Sequence, residues 1–236
     1  MTPIALVHGG GFGASCWDLL VPALKTSSVA VDLPGRGRRP APLGDVTFDA
    51  CARALREDVD AAGFDRFVLV GHSLAGCSMP AMVDLLGDRV SHLVFLACTV
   101  PEDGTACLDT LDADVRALAA RPEDFDELGV LSREAAAAMF GNDLDEGQLE
   151  WCVSRMVPEA PRLVTDPVDL APFRRPIPRT WIRTMHDAVV PPAKQERFAV
   201  NAGDAPIVEL DAAHMSMISR PNETAALLDD IAGSAT

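Results

Sequence analysis

The sequence predicts an α/β fold with a mostly parallel sheet of about six strands, flanked by helices and carrying a helical lid insertion. Short apolar runs alternate with helical patterns along most of the 236 residues, and strands that alternate with helices favour a parallel sheet covered on both faces. One interval of about 75 residues breaks this alternation, although loops in such folds typically have roughly 2–6 residues. That interval predicts the lid.

The strands are predicted from apolar runs, and the helices from apolar residues at helical spacing. The predicted strands are residues 4–7, 28–32, 66–70, 92–97, 180–185 and 207–210. The predicted helices outside the insertion are residues 17–24, 48–62, 74–86, 192–200 and 222–231. Because the two kinds of segment alternate in order, the strands are expected to form one parallel sheet.

The insertion comprises residues 101–176, and residues 1–100 and 177–236 are predicted to form the core. Its helical patterns lie at 108–120, 132–140 and 144–156, before a segment with several prolines at 161–178. We interpret it as a lid over the ends of the strands. An ordinary run of connecting helices is the alternative.

Composition predicts a single domain and disfavours two kinds of partner. A chain of this length with 48% hydrophobic residues can bury one sizeable core. The formal charge of −15 makes nucleic acid or an anionic membrane an unsuitable partner, because phosphate binding relies on clusters of Lys and Arg.

The first residues predict a soluble, cytoplasmic protein. They lack the basic segment and apolar stretch of a signal peptide, and no apolar run approaches the ~20 residues of a membrane span. The six cysteines show no C-x-x-C spacing and are expected to be buried free thiols.

The pentapeptide Gly71-His72-Ser73-Leu74-Ala75 follows the predicted strand 66–70. A strand, Gly-x-Ser-x-Gly/Ala and a helix together describe the nucleophile elbow, a strained turn that exposes a serine hydroxyl at the edge of the sheet. Small residues flank the serine because strand and helix approach closely there. The alternative is that Ser73 only caps the helix that follows it.

A nucleophilic serine needs a base that is oriented by a carboxylate. His214 lies just after the last predicted strand, and Asp187 just after the strand 180–185, at the end where open α/β sheets place their sites. Asp204 and Asp211 are less convenient, since the first precedes its strand and the second is three residues from His214. The order Ser73, Asp187, His214 predicts a catalytic triad.

The segment His8-Gly-Gly-Gly-Phe-Gly13 follows the first predicted strand. A flexible loop there can direct a backbone N–H at an oxyanion, and Leu74, the residue after the nucleophile, can supply a second donor. The segment lacks the Lys-Ser/Thr ending of a phosphate-binding loop. A dinucleotide site is the closer rival, because Gly9, Gly11 and Ala14 match G-x-G-x-x-G/A and Asp32 follows roughly 20 residues later.

These motifs resemble those of the α/β-hydrolases, in the compact branch of esterases and hydroxynitrile lyases that includes plant methylesterases. The residues that carry the resemblance are 6–10 (LVHGG), 13–17 (GASCW), 32–37 (DLPGRG), 71–76 (GHSLAG), 187–191 (DAVVP) and 214–221 (HMSMISRP). The resemblance implies an α/β-hydrolase fold, a triad of Ser73, Asp187 and His214, and oxyanion donors at Gly10 and Leu74. The lyases of this branch carry Thr or Asn where this chain has Gly9, and many carry Lys where it has Met215, so lyase chemistry is disfavoured.

The sequence therefore predicts a serine hydrolase that cleaves a small, largely apolar carboxylic ester, thioester or lactone and needs no cofactor or metal. A ligand-binding receptor or carrier on the same fold is an alternative, as is a tailoring enzyme such as a cyclase, a C–C hydrolase or a hydroxynitrile lyase. Candidate residues of the substrate pocket are Phe12, His72, Phe140, Trp151, Met156 and Val189. Core packing explains the apolar ones equally well.

Overall fold

The computed structural model describes residues 1–111 and 129–235. Within them, parallel strands form a sheet in the order β2-β1-β3-β4-β5-β6. The strands are β1 (Ile4–Val7), β2 (Ser28–Val31), β3 (Phe67–His72), β4 (Val90–Leu96), β5 (Arg179–Thr184) and β6 (Ile207–Leu210). The strand order reverses between β1 and β3, and in open α/β sheets the crevice at such a point is where ligands bind.

The helices cover both faces of the sheet. They are α1 (Phe48–Ala61), α2 (Ala75–Leu86), α3 (Arg133–Phe140), α4 (Glu146–Val153), α5 (Pro161–Thr165), α6 (Pro192–Asn201), α7 (Ser216–Ser219) and α8 (Pro221–Ser234). Ala5 and Val7 of β1 pack on one face with α1, α2 and α6, whereas Ile4 and Leu6 pack on the other with α8. This alternation follows from the period of two along a strand.

The predicted α/β fold is confirmed, and the predicted strands are confirmed to within two residues at either end. β1 and β3 are buried along their whole length, as expected of apolar strands covered on both faces. The predicted helix 17–24 is wrong. The chain instead forms two 3₁₀ turns, Ala14–Trp17 and Val21–Ala23, because Pro22 has no N–H with which an α-helix could continue through it.

The insertion between β4 and β5 contains α3, α4 and α5. Ser132 caps α3 by accepting the N–H of Ala135, and Asp145 and Gln148 form a capping box on α4. The predicted helix 132–140 is confirmed, and 144–156 is shortened to α4. The predicted helix 108–120 begins in a 3₁₀ turn, Cys107–Thr110, and its residues 112–120 lie outside the described residues.

The cysteines are all free, as predicted, and all but Cys107 are buried. In the described parts of the chain, none of the helices combines the length and the apolar content that crossing a membrane requires.

Candidate active site

Three loops at the carboxyl edge of the sheet bring together the residues that the sequence proposed as a triad. Ser73 directly follows β3, Asp187 follows β5 after two residues, and His214 follows β6 after three. Since all the strands are parallel, these loops leave the same edge of the sheet. Residues 114 positions apart along the chain, Ser73 and Asp187, thereby come within reach of one imidazole.

Ser73 occupies a sharp turn between β3 and α2. Its φ of 52° lies in the left-handed region, which is costly for a residue other than glycine. A side chain on Gly76 would overlap with the backbone carbonyl of Thr99, so α2 begins in close contact with the loop after β4. The Oγ of Ser73 lies 3.0 Å from Nε2 of His214, so the hydroxyl is directed at the imidazole rather than at the amides of α2.

His214 is 2% exposed and joins Ser73 to Asp187. Its Nδ1 lies 2.8 Å from Oδ2 of Asp187, whose side chain is fully buried. The other carboxylate oxygen accepts the backbone N–H groups of Val189 and Val190, each at 2.8 Å. Burial alone would raise the pKa of Asp187, but His214 and these hydrogen bonds lower it below its usual value. Asp187 is therefore ionised at neutral pH.

Two further polar residues support Asp187, and neither was predicted from the sequence. The hydroxyl of Thr184 donates to Oδ2 of Asp187 at 2.9 Å. Gln195 of α6 is fully buried, and its amide nitrogen lies 3.0 Å from the hydroxyl of Thr184 and 2.8 Å from the carbonyl of Val190. A polar residue on the apolar face of α6 is the signal that could have identified Gln195.

The two rival acids lie elsewhere. Asp211 is exposed and accepts a hydrogen bond from Nε2 of His186 at 2.7 Å. Asp204 lies in an exposed turn before β6 with φ of 54°. Neither carboxylate has a hydrogen bond to His214 among the described contacts.

The glycine loop after β1 approaches the elbow at Leu74. A Cβ on Gly10 would lie 3.1 Å from Cδ2 and 3.5 Å from Cβ of Leu74, so Gly10 is next to the Leu74 side chain. Neither backbone N–H has a hydrogen-bond acceptor within the parts of the chain that the structure describes. Two unpaired amides, one of them on the residue that follows Ser73, are what an oxyanion site requires.

His8 orients the peptide that carries the Gly10 N–H. The N–H of Leu33 can only donate, so His8 Nε2, 3.3 Å away, accepts. Nδ1 therefore carries the proton and donates to the carbonyl of Gly9 at 2.9 Å. That carbonyl belongs to the same planar peptide as the Gly10 N–H. Burial lowers the pKa of His8 to about 4, so the ring is neutral, as this arrangement demands.

His72 lies beneath His214. Its Nε2 lies 3.0 Å from the carbonyl oxygen of His214 and donates to it, and the two rings have centroids 4.8 Å apart. Its Nδ1 is buried without a partner among the described residues. Burial, followed by repulsion from His214, lowers the pKa of His72 to about 3. A charged His72 would place a cation in a dry site next to His214.

These two neutral histidines predict a loss of stability in acid. The unfolded chain binds a proton at each histidine below the ordinary pKa of about 6.5, whereas the folded chain does so only near pH 4 for His8 and pH 3 for His72. The free energy of unfolding should therefore be highest above pH 6.5 and fall by about 1.4 kcal/mol per pH unit for each histidine as the pH drops toward 4. Urea titrations at pH 7.5, 5.5 and 4.5 measure it.

His72→Gln isolates one of these two contributions, because the amide nitrogen of Gln can replace the N–H of Nε2. The variant should show a shallower pH dependence by about 1.4 kcal/mol per pH unit over that range. The carboxylates titrate alike in both proteins and cancel in the difference. Parallel pH profiles for the two proteins would show that His72 is not held neutral by the fold.

Aromatic side chains cover His214 on the side of the insertion. Phe140 of α3 stacks on the imidazole at a centroid distance of 5.8 Å and an interplanar angle of 20°. Phe12 contacts the edge of Phe140, also at 5.8 Å. Val189 is next to the site through its N–H bond to Asp187. Of the residues predicted to line a pocket, these three and His72 therefore surround the candidate triad.

Trp151 and Met156 have no hydrogen bond or ring contact with the triad among the described residues. Both are partly buried and pack against the core cluster that contains Phe140. The guanidinium of Arg155 covers the ring of Trp151 at 3.7 Å from its centroid. Their role as substrate contacts stays a prediction.

The rival dinucleotide site loses its acidic residue. The carboxylate of Asp32 accepts hydrogen bonds from the N–H of Ala14 at 2.8 Å and from the N–H and Nε of Arg38, both at 3.1 Å. Burial would raise the pKa of Asp32, but these contacts lower it. Asp32 thus holds two loops together, whereas a dinucleotide site would need its oxygens for a ribose hydroxyl.

Comparison with known proteins agrees with this geometry. The model of the alpha/beta hydrolase family matches residues 4–227. The chain belongs to the alpha/beta hydrolase family. The resemblance to the compact branch of plant esterases is confirmed by relatives of that description.

Two curated relatives illustrate the similarity of this alpha/beta hydrolase to plant esterases. The probable esterase PIR7A of Oryza sativa subsp. indica is 36% identical over 124 residues, which are 50% of this chain and 46% of the rice protein. The match therefore spans less than half the length of that relative. Polyneuridine aldehyde esterase of Rauvolfia serpentina is 26% identical over 250 residues, with 97% of this chain and 95% of the relative covered.

A solved structure shows the same fold. An extracellular alpha/beta-hydrolase from a Paenibacillus species superimposes with a TM-score of 0.84 at 19% identity, covering 98% of each chain. At that identity the likeness concerns the fold alone.

Proposed function

We propose that this alpha/beta hydrolase is a serine esterase that cleaves a small, largely apolar carboxylic ester, with a thioester or lactone as variants. The observation that carries the proposal is the continuous chain of contacts from Ser73 through His214 to Asp187, at 3.0 and 2.8 Å. A hydroxyl, an imidazole and a buried carboxylate in this order form an activated nucleophile. The names of the rice and Rauvolfia relatives, both called esterases, support the same reaction class.

The proposed reaction has two stages. Nε2 of His214 takes the proton of Ser73 while Oγ forms a bond to the ester carbonyl carbon, and the π electron pair moves to the carbonyl oxygen. When that pair returns, the bond to the alkoxy group breaks, and His214 gives its proton to the departing alcohol. His214 then takes a proton from a water molecule, whose oxygen forms a bond to the acyl carbon. When this second intermediate collapses, the bond to Oγ breaks, His214 returns the proton to Ser73, and the acid leaves.

The glycine loop stabilises the negative charge in this scheme. The N–H groups of Gly10 and Leu74 would donate to the oxyanion, and one such donor contributes about 2.7–4 kcal/mol to the transition state. Asp187 holds the imidazole with Nδ1 protonated and stabilises its charged form. The scheme uses neither a metal nor a cofactor.

We extend the proposal to the substrate pocket and to the insertion. Residues 101–176 would serve as a lid, because Phe140 of α3 lies directly on His214. A small, apolar acyl group fits an environment made of Phe12, Phe140 and Val189. Trp151 and Met156 are proposed to extend this pocket. A location in the cytoplasm stays a prediction.

A receptor or carrier with little turnover is the alternative from another functional class. Steady product formation under saturating ester would favour an enzyme, whereas a burst followed by a stall would favour the receptor. Lyase chemistry is disfavoured because there is no room for a side chain at Gly9. A Cβ there would lie 2.8 Å from Cβ of Ser73 and 2.9 Å from Nδ1 of His72, so the Thr or Asn of the related lyases does not fit. Met215 is fully buried and carries no charge.

The chain is therefore expected to hydrolyse a small aromatic ester faster than it cleaves mandelonitrile. Cyanohydrin cleavage needs a polar side chain for the substrate hydroxyl and often a cation for the departing cyanide, and Gly9 and Met215 supply neither. Ester hydrolysis needs the backbone donors, which do not depend on those side chains. Acid release and cyanide release, assayed side by side, give the comparison. Cyanide release that requires Ser73 and exceeds ester hydrolysis would overturn the esterase proposal.

A further inference from the structure

Glu159, a residue of the insertion, contacts the glycine loop at the site of the proposed oxyanion donors. Its Oε2 accepts the N–H of Gly11 at 2.8 Å. The carbonyl of the same Gly11 accepts the N–H of Val157 at 2.8 Å. Both hydrogen-bonding groups of Gly11 are therefore satisfied by one short segment of the insertion.

The Glu159 carboxylate is itself held by a buried cation. Arg36, whose side chain is 1% exposed, forms an ion pair with Oε1 of Glu159. The Nη1 of Arg36 donates to the carbonyl of Pro34 at 2.9 Å, and the N–H of Ala160 donates to Oε1 at 2.6 Å. A buried guanidinium requires an anionic partner. The pair also offsets the negative charge that Glu159 would otherwise place near an oxyanion.

The position of Glu159 matters because glycines do not fix their own backbone. Gly11 has φ of 73°, and a chain of consecutive glycines has many accessible conformations. His8 holds the peptide between Gly9 and Gly10, whereas Glu159 holds the next one, between Gly10 and Gly11. The Gly10 N–H lies in the first of these planes, and the second plane restrains it through the φ and ψ angles of Gly10, which join the two. Oε2 of Glu159 lies only 3.2 Å from where a Cβ on Gly10 would stand.

We infer that Glu159, neutralised by Arg36, is a positioning residue that keeps the Gly10 N–H directed at the oxyanion and ties the donor geometry to the insertion. The inference rests on the esterase function proposed above. Glu159 does not contact the reacting atoms. Loss of Glu159 should therefore lower the rate of the chemical step and leave substrate binding largely unchanged. A misplaced donor reduces the stabilisation of the transition state more than that of the bound substrate.

The test compares Glu159→Gln with the wild type. Gln keeps the size of Glu but has one acceptor oxygen, so its amide nitrogen must face either Gly11 N–H or the group of donors around Oε1. We expect kcat for a small aromatic ester to fall by about 10–100-fold with KM within about threefold, since small misplacements can cost 10²-fold. Rates are normalised to active sites titrated with a fluorophosphonate, so a smaller folded fraction does not count as lower kcat.

A trifluoromethyl ketone provides a second readout that reports on the oxyanion hole. Ser73 adds to its carbonyl, and the resulting charged oxygen occupies the place of the oxyanion. Affinity for the ketone should fall in Glu159→Gln by about the same factor as kcat. Arg36→Lys keeps the charge but loses the planar fork of donors. It should also lower both kcat and the affinity for the ketone.

Asp166→Asn is the matched control. Asp166 forms an exposed ion pair with Arg162 at 2.8 Å in the same part of the insertion and touches neither Gly11 nor Arg36 in the described contacts. It should leave kcat and ketone affinity within twofold of the wild type. If Glu159→Gln also stays within twofold, or loses only folded protein, Glu159 has a structural role and the inference is wrong. A wild type without ester hydrolysis or ketone binding would instead overturn the proposed function.

Discussion

Replacement of Ser73 by alanine is expected to abolish covalent labelling by a fluorophosphonate and to lower kcat for ester hydrolysis by about 10⁶-fold. The hydroxyl of Ser73 is 3.0 Å from the base His214 and only half buried, so it combines activation with access. The methyl group of alanine fills the same space without a nucleophile. Intact-mass measurement and peptide mapping of the labelled wild type should locate one adduct, on Ser73.

Ser91→Ala is the control for this experiment. Ser91 is a buried serine near the amino end of β4, and its hydroxyl donates to the carbonyl of Phe67 at 3.0 Å. Ser91 lies at the amino end of the strands, whereas the candidate site lies at their carboxyl ends, so loss of the Ser91 hydroxyl should leave labelling and kcat unchanged. Labelling that persists in Ser73→Ala at the wild-type rate would show that Ser73 is not the nucleophile.

The fold could be predicted because its signals are local and repeated. β1 and β3 are short apolar runs, because burial on both faces demands that composition, whereas β5 (RTWIRT) is only partly apolar. The positions of Ser73, Asp187 and His214 after three of these strands were then enough to predict that the three residues meet, since the loops at the carboxyl ends of parallel strands lie at the same side of the sheet. The prediction of a helix at 17–24 was wrong because it rested on the spacing of apolar residues and gave too little weight to Pro22, which interrupts helices.

The supporting contacts could not be predicted from the sequence. Gln195 and Thr184 are 11 residues apart and meet only because α6 packs on β5. Glu159 and Arg36 are separated by 123 residues, and nothing local distinguishes them from surface charges, which are the common case. Such pairs depend on how the insertion packs against the loops of the core. Sequence patterns of short period carry no information about that packing.

Asp187→Asn is expected to lower kcat by about 10⁴-fold with little effect on the fold, because the proton of the imidazole moves to the wrong nitrogen. In the wild type, one carboxylate oxygen of Asp187 accepts the N–H groups of Val189 and Val190, and the other faces Nδ1 of His214. In the variant the amide oxygen satisfies the two backbone donors, so the NH₂ group faces Nδ1 of His214. Nδ1 must then accept, which leaves the proton on Nε2.

With its proton on Nε2, His214 donates to the hydroxyl of Ser73 and cannot take the proton of that hydroxyl as a base. Fluorophosphonate labelling should slow together with ester hydrolysis, because both need the same proton transfer. Asp211→Asn and Asp204→Asn are the matched controls, since both carboxylates lie in the loops that flank β6 but do not contact His214 in the described structure. They should retain kcat near the wild-type value. If either control loses activity while Asp187→Asn remains active, a different carboxylate orients the base.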